Sequence, residues 1–334
     1  MTDLTIILFL KDRHEFNERF FKYYEKNGFK YNLIISDGSK KKIDKKTLKI
    51  INSSKKIKYI KFIEDLNYNR YYKKIFTTLK VVKTKFVLFA ANDDFIIYKN
   101  LPKLLNFLKY NDSYAGAGGA VTGFELKIIN KKKYLKNIQT IYKKKKKLKN
   151  VNKKKRVLYL LNNYSDIPRM SIMKTKVLIN SYRYSSKIFN NNIELKDHFT
   201  ALYSLSQGRI KMYREPIIFH ENHINSEGNK RHQALVKSLH EENYIDEVFL
   251  FDKILSKTVK LKGLKIFKIY LRKFFEIISS SFELKSEMGM NTIIKLLLKK
   301  TKRKFKFYKL QKIEKSSKNI LQIKKELEFF LNKI

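Results

Sequence analysis

Phe86-Val87-Leu88-Phe89-Ala90-Ala91-Asn92-Asp93-Asp94-Phe95 is the stretch on which the fold turns. An apolar, β-prone run ends abruptly in an amide and two carboxylates. A strand that is apolar at successive positions, without alternation, is one buried on both faces, as in the sheet of an α/β protein. Adjacent carboxylates at the end of such a strand are costly unless a counter-charge meets them. A hard divalent cation holding a nucleotide's phosphates supplies that charge, because Mg²⁺ and Mn²⁺ take few protein oxygens and share the rest of their shell with phosphate and water. The other reading makes the two acids N-caps of a helix that starts near Leu101.

Outward from this stretch the pattern is an alternation of strands and helices. Leu4 to Leu10 is a second continuous apolar run, broken by Lys11-Asp12-Arg13-His14. Phe16, Phe20, Phe21 and Tyr24 then recur at helical spacing, and Asn27-Gly28 provides a C-cap. Tyr31 to Ile35 reads as a strand stopped by Ser36-Asp37-Gly38-Ser39, which completes a β-α-β unit of parallel-crossover length. Lys58 to Ile63 is a short third strand. Tyr68 to Val82 is a helix with Tyr72, Ile75, Phe76 and Leu79 on one face, and Leu101 to Leu108 is another, with Pro102 in its first turn. The alternation predicts an α/β sheet whose strand ends carry the site.

Ala115-Gly116-Ala117-Gly118-Gly119-Ala120 lacks both GxxxxGK[ST] and GxGxxG and runs on into Val121-Thr122-Gly123-Phe124. It reads as a strand whose backbone approaches a neighbour closely, rather than as a phosphate loop. Residues 127–156 are dominated by lysine, with Lys143 to Lys147 unbroken, and read as a solvated insertion. Ile193 to Ser206 is helical and ends at Gln207-Gly208; Arg209 to Phe219 is a strand interrupted by a proline. These segments make a domain over residues 1–225. Residues 226–334 change character: Gly and Pro become rare and the pattern is helical. Leu261, Leu264, Phe267, Tyr270, Leu271, Phe274 and Ile278 form a broad apolar face, with lysines between them, able to pack on a domain or lie on an anionic bilayer.

Composition narrows the classes. The chain has 334 residues, 43% hydrophobic, with neither Cys nor Trp. Disulfides and thiolate metal sites are thereby excluded. No apolar run approaches the ~20 residues of a membrane-spanning helix, and Met1 to Thr5 does not read as a signal peptide. The formal charge of +45 fits an anionic partner, but Lys far outnumbers Arg, the better residue for reading phosphates and bases. A Lys-, Ile- and Asn-rich coding bias explains much of it. No base-reading motif accompanies the charge, so no specific nucleic acid is expected.

The order of these motifs resembles that of GT-A fold glycosyltransferases of the family 2 type over roughly the first 225 residues. Thr5 to Arg13 is similar to their opening strand and loop, Ile34 to Ser39 to their second strand, and Asn92-Asp93-Asp94 to their DxD motif. The resemblance implies a GT-A α/β sheet, a nucleotide-diphosphate sugar donor, and a divalent cation, Mn²⁺ or Mg²⁺. It implies that Asp37 contacts the base or ribose, that Asp94 ligates the cation, and that Asp93 binds ribose or supports the metal shell. Asn92 stands where a strict motif has an acid; its amide oxygen can still ligate. Lys11 and Arg13 fall in a nucleotide-contacting loop, and Asn69, Arg70 and Lys74 fall where the nucleotide or its phosphates pass.

Glu194-Leu195-Lys196-Asp197-His198 resembles the late-helix segment whose Asp is the general base of inverting enzymes. The resemblance implies Asp197 as that base, with Glu194 one turn away as the second choice and Lys196 or His198 keeping the carboxylate ionised. His220-Glu221-Asn222-His223 holds two histidines three apart, which is no zinc site by itself. The resemblance implies a late His near the metal, His220 before His223.

The reading is of a cytoplasmic enzyme, peripheral on the inner face of a membrane through its basic C-terminal region. It moves a sugar to a glycan or lipid-linked acceptor in surface polysaccharide synthesis. A sugar-phosphate nucleotidyltransferase is one alternative, although the Gly-rich N-terminal loop of that class is absent. A non-enzymatic basic protein that binds nucleic acid or membrane is the other; in it Asp93, Asp94 and Asp197 would be dispensable.

Overall fold

The computed structural model describes residues 3–142, 146–162, 167–188, 192–222, 244–260 and 318–334. Among these, nine strands form one mixed sheet. In chain order the larger elements are β1 (Leu4–Leu10), α1 (Asn17–Lys26), β2 (Asn32–Asp37), α2 (Lys45–Asn52), β3 (Ile57–Lys61), α3 (Tyr68–Lys80), β4 (Phe86–Ala91), β5 (Asp94–Ile96) and α4 (Leu101–Lys109). They continue with β6 (Tyr114–Ile129), β7 (Lys132–Tyr142), α5 (Lys153–Asn162), β8 (Ile172–Lys174), α6 (Thr175–Ile188), α7 (Ile193–Gln207), β9 (Arg209–Glu221), α8 (Tyr244–Val259) and α9 (Lys318–Leu331).

The sheet order is β3-β2-β1-β4-β8-β6-β9-β5, with β7 paired to β6. β1 to β4 are parallel, β8 is antiparallel to both of its neighbours, and β9 returns parallel to β6. The apolar runs are two-faced, as their lack of alternation predicts. Ile7, Val87 and Phe89 enter one core with Tyr72, Ile75 and Leu79 of α3 and with α5 to α8. Ile6, Leu8, Leu33, Ile35 and Leu88 enter the other, under α1, α2 and α4. Successive side chains on a strand point to opposite faces, so an uninterrupted apolar run feeds both layers.

The helix ends follow local chemistry. α1 stops at Asn27, and Gly28 takes φ +67°. Gly28 N–H donates to Glu25, Phe29 N–H donates to Tyr24, and the Tyr24 and Phe29 rings meet edge to face. That left-handed cap turns the chain back into β2. The Asn67 side chain accepts from Arg70 N–H and starts α3 at the carboxyl edge of the parallel strands. Pro102 lies at the start of α4.

The small-residue cluster is a central strand segment, as expected. At Gly116 a Cβ would meet Met173 and would stand 2.7 Å from the Ile172 carbonyl. Where a solvated insertion was expected over 127–156, β6 and β7 form a hairpin, and α5 begins at Lys153. Much of the segment is exposed, including Ile128, Ile129 and Lys149 to Asn152. The base is covered, since Leu135 joins Phe95, Phe124 and Phe219 beneath Ile323, Leu327 and Phe330 of α9. The apolar face over 261–278, the basic run at 299–304 and His223 lie outside the described residues. Of residues 226–334, the described ones form α8 and α9.

Candidate functional site

The chain runs β1-β2-β3 outward in one direction and then places β4 on the other side of β1. Ligands of open α/β sheets bind at such a reversal, outside the carboxyl ends of the strands. The loop after β1 and the Asn92-Asp93-Asp94 turn after β4 flank that point.

Asp93 and Asp94 are buried, and Asp94 is the first residue of β5. The capping alternative therefore does not hold: the N-cap of α4 is Asn100. β5 pairs antiparallel with the end of β9, which puts Asp94 opposite His220. His220 Nδ1 lies 2.7 Å from Asp94 Oδ1. Asp93, Asp94 and His220 each offer a ligand atom, and these atoms lie within 4.8 Å of one another. Two carboxylates and an imidazole in that space fit a Mn²⁺- or Mg²⁺-type ion that keeps positions open for phosphate or water. Burial opposes protonation of His220, but the hydrogen bond and charge of Asp94, with Asp93 behind it, outweigh burial and raise its pKa to about 8.

Arg13 closes the other side. Its guanidinium donates to Asp93 Oδ2 at 2.8 Å and to Asn92 Oδ1 at 2.9 Å. The Asn92 amide nitrogen donates to the Arg13 carbonyl and to Asn17 Oδ1. Asn92 thus stands beside the acids with its amide turned to Arg13 and α1.

At the end of β2, Asp37 is enclosed by donors of its own chain. Ser39 N–H reaches one carboxylate oxygen at 2.8 Å; the Tyr59 hydroxyl at 2.6 Å and Lys61 Nζ at 3.1 Å reach the other. Burial works against ionisation, yet these hydrogen bonds outweigh it and hold the carboxyl below the usual range. Asp12, which the sequence did not single out, ties the first two loops together: its N–H donates to Ser39 Oγ and its carboxylate accepts from Lys40 and Lys41 N–H.

The other residues read as nucleotide contacts differ in exposure. Lys74 is buried, bonded to the Asp65 carboxylate and to the Leu10 carbonyl at 3.1 Å. A buried ammonium is tolerable only with such partners, and no motif in the sequence marks Asp65 as the partner. Lys11 is exposed in the loop after β1, and its charge acts on Asp65 and Lys74. Arg70 is exposed, and its guanidinium donates to the Glu64 carbonyl at 3.4 Å.

Asp197 is buried in α7 on the α3 side of the sheet. The Tyr72 hydroxyl donates to it, and the Arg169 guanidinium lies 3.5 Å away. Tyr72 belongs to the first turns of α3, so Asp197 shares the carboxyl edge of the sheet with the acid cluster. Lys196 turns elsewhere, to the Ser185 carbonyl at 3.0 Å and over the Tyr72 ring. Arg169, in the turn before β8, had no signal in the sequence beyond being one arginine among many. Glu194 lies on α7, and its side chain lies outside the described residues.

No family model matches the sequence, and a search of curated proteins finds no match. Among solved structures, the chain is similar to a crystal structure of S. aureus TarS at 14% identity and TM-score 0.45, covering 83% of this chain and 49% of that one. It therefore spans about half of that TarS chain. Against TarS 1-349 the identity is 13% and the TM-score 0.47, with 89% and 86% covered. Against TarS 1-349 in complex with UDP-GlcNAc the values are 13% and 0.44, with 83% and 81% covered. Likeness at this level assigns no residue, ligand or activity to this chain.

Proposed function

We propose that this chain is a GT-A type glycosyltransferase that moves a sugar from a nucleotide-diphosphate donor to a glycan or lipid-linked acceptor. One observation carries the reading: two buried acids and a histidine, from elements far apart in sequence, converge beside the reversal point of the parallel strands in the mixed sheet. Buried carboxylates gathered there have a use when a cation and a diphosphate meet them.

In this reading Asp94, Asp93 and His220 hold a Mn²⁺ or Mg²⁺ ion, which supplies Lewis-acid stabilisation of the departing diphosphate. Asn92 reaches the ion only by giving up Arg13. Arg13 pairs with Asp93 in the free protein and, in this reading, turns towards the diphosphate when the donor binds. Asp37, at the end of β2, binds the nucleoside once Lys61 yields. Asp197 takes the proton of the acceptor hydroxyl as that oxygen attacks the anomeric carbon and the diphosphate leaves from the opposite face, giving inversion. The Tyr72 hydroxyl and Arg169 orient the carboxylate.

Among the described residues no helix is long and apolar enough to cross a membrane. We assign a role in surface polysaccharide synthesis to the enzyme, and contact with an anionic inner membrane face to its basic C-terminal region. A thermal-shift screen of nucleotide sugars with and without Mn²⁺ tests the reading. A metal-dependent rise with one nucleotide class is expected, abolished in D94N. No shift with any donor would leave a non-enzymatic basic protein as the better account.

A further inference from the structure

Arg19 occupies the first turn of α1, where a cation runs against the helix dipole. It is also almost fully buried, at 9% exposure. Both facts call for partners, and the partners are specific. One guanidinium nitrogen donates to Glu221 at 2.5 Å; the other donates to the backbone carbonyl of Asp93 at 3.2 Å. The guanidinium carbon stands 5.0 Å from the Phe16 ring and 4.9 Å from the Phe95 ring.

These contacts join the two pieces of chain that make the acid-histidine group. Asp93 lies in the turn between β4 and β5, next to Asp94. Glu221 is the last residue of β9, next to His220. Phe95 follows Asp94, so the ring over which Arg19 lies belongs to the same turn and strand. The register of β5 against β9 sets which residues face each other, but the pairing covers only Asp94 to Ile96 and stops at His220. β6 holds the end of β9 through Glu221, but among the described residues no strand pairing joins that end to the Asp93 turn, which needs a tie of its own. Arg19 is that tie, with α1 as its anchor, and Asn17 of the same first turn holds Asn92 as well.

We infer that Arg19 and Glu221 form a clamp that positions Asp93, Asp94 and His220 for a divalent cation, with Arg19 as a positioning residue that touches neither ion nor substrate. The inference rests on the cation reading given above. A planar guanidinium can serve a carboxylate and a carbonyl at once, which the point charge of lysine does less well. Partners one layer outside a metal's ligands commonly change its affinity about 10- to 100-fold.

The test is a Mn²⁺ titration of the full chain, with free ion counted by electron paramagnetic resonance, in wild type, R19K, E221Q, the double variant R19M/E221L and D94N. The double variant replaces a buried ion pair by apolar groups of similar size, a change that cores tolerate, so it removes the tie to Asp93 with the fold kept. Expected are wild-type binding lost in D94N, and Mn²⁺ affinity about 10- to 100-fold weaker in R19M/E221L. E221Q should fall between that and wild type, with R19K weaker than wild type. Melting temperatures of the same samples separate positioning from stability: a merely structural pair would lower the melting temperature of R19K and leave the affinity of the folded fraction unchanged. Wild-type affinity in both R19K and R19M/E221L, with D94N still defective, overturns the clamp and leaves the cation site standing. Unaltered binding in D94N, or none in wild type, overturns the cation site and the clamp with it.

Discussion

His220 Nδ1 and Asp94 Oδ1 lie 2.7 Å apart although 126 residues separate them in the chain. The contact follows from the pairing of β5 with β9, which sets Asp94 opposite His220. A carboxylate at the end of the β4 apolar run thereby gains an imidazole, and with Asp93 the pair becomes a group of three side chains that could hold a metal ion.

Removing the Asp94 charge should weaken cation-dependent chemistry strongly. D94N keeps the volume of the side chain but offers a weaker ligand. Donor hydrolysis in Mn²⁺ should drop by about 10²-fold or more, the scale of losing one charge-stabilising group. Activity within a factor of two of wild type would remove Asp94 from the site.

Asp197 should behave differently. In D197N the Tyr72 and Arg169 contacts can persist in neutral form, so donor and Mn²⁺ binding should remain. Sugar transfer should fall by about 10²- to 10⁴-fold, the range for a lost general base. Separate binding and transfer assays check this split. Equal loss in both would make Asp197 a structural acid.

Lys196 gives a pH signature. Burial lowers its pKa from 10.5 to about 8, against the opposing charge of Glu247. Below pH 8 both folded and unfolded chains carry the proton, and the folded state bears the cost of the buried charge. Between about pH 8 and 10.5 the folded state has released the proton and the unfolded state has not, so stability rises with pH. Relative to K196M, wild type should gain on the order of 3 kcal/mol across that window. Urea unfolding at intervals of pH measures it, and a flat difference would refute it.

Gly38 lies against the Asp65 carboxylate, where a Cβ would clash. Asp65 cannot retreat freely, because it is bonded to buried Lys74. G38A should therefore cost about 1–3 kcal/mol and loosen the loop after β2, which Asp12 also holds. Chemical denaturation reports the first effect and nucleotide affinity the second.

Leu327 of α9 is buried with Phe95, Phe124 and Phe219. L327A should lower stability by about 2–5 kcal/mol, the cost of a cavity left by a buried leucine. A loss under 0.5 kcal/mol would mean that α9 does not cover the β6–β7 hairpin in solution.

The sequence by itself determined the local elements and the position of the acids. The apolar runs of β1 and β4, the helical spacing of Phe20, Phe21 and Tyr24, the Asn27-Gly28 stop, and carboxylates ending β4 all depend on neighbours within a few residues. That is the range over which periodicity and capping act. What surrounds the acids was decided by the tertiary structure. His220 reaches Asp94 through strand pairing, Arg19 reaches Asp93 and Glu221 from α1, and Arg169 reaches Asp197 from a turn before β8. The chain carries 75 lysines and arginines, so a basic residue at any one position conveys almost nothing about whether it is solvated or buried. Lys74 and Lys196 lie inside while Lys11 and Arg70 do not. The difference is made by long-range packing, since a buried charge survives only where the fold brings a partner to it.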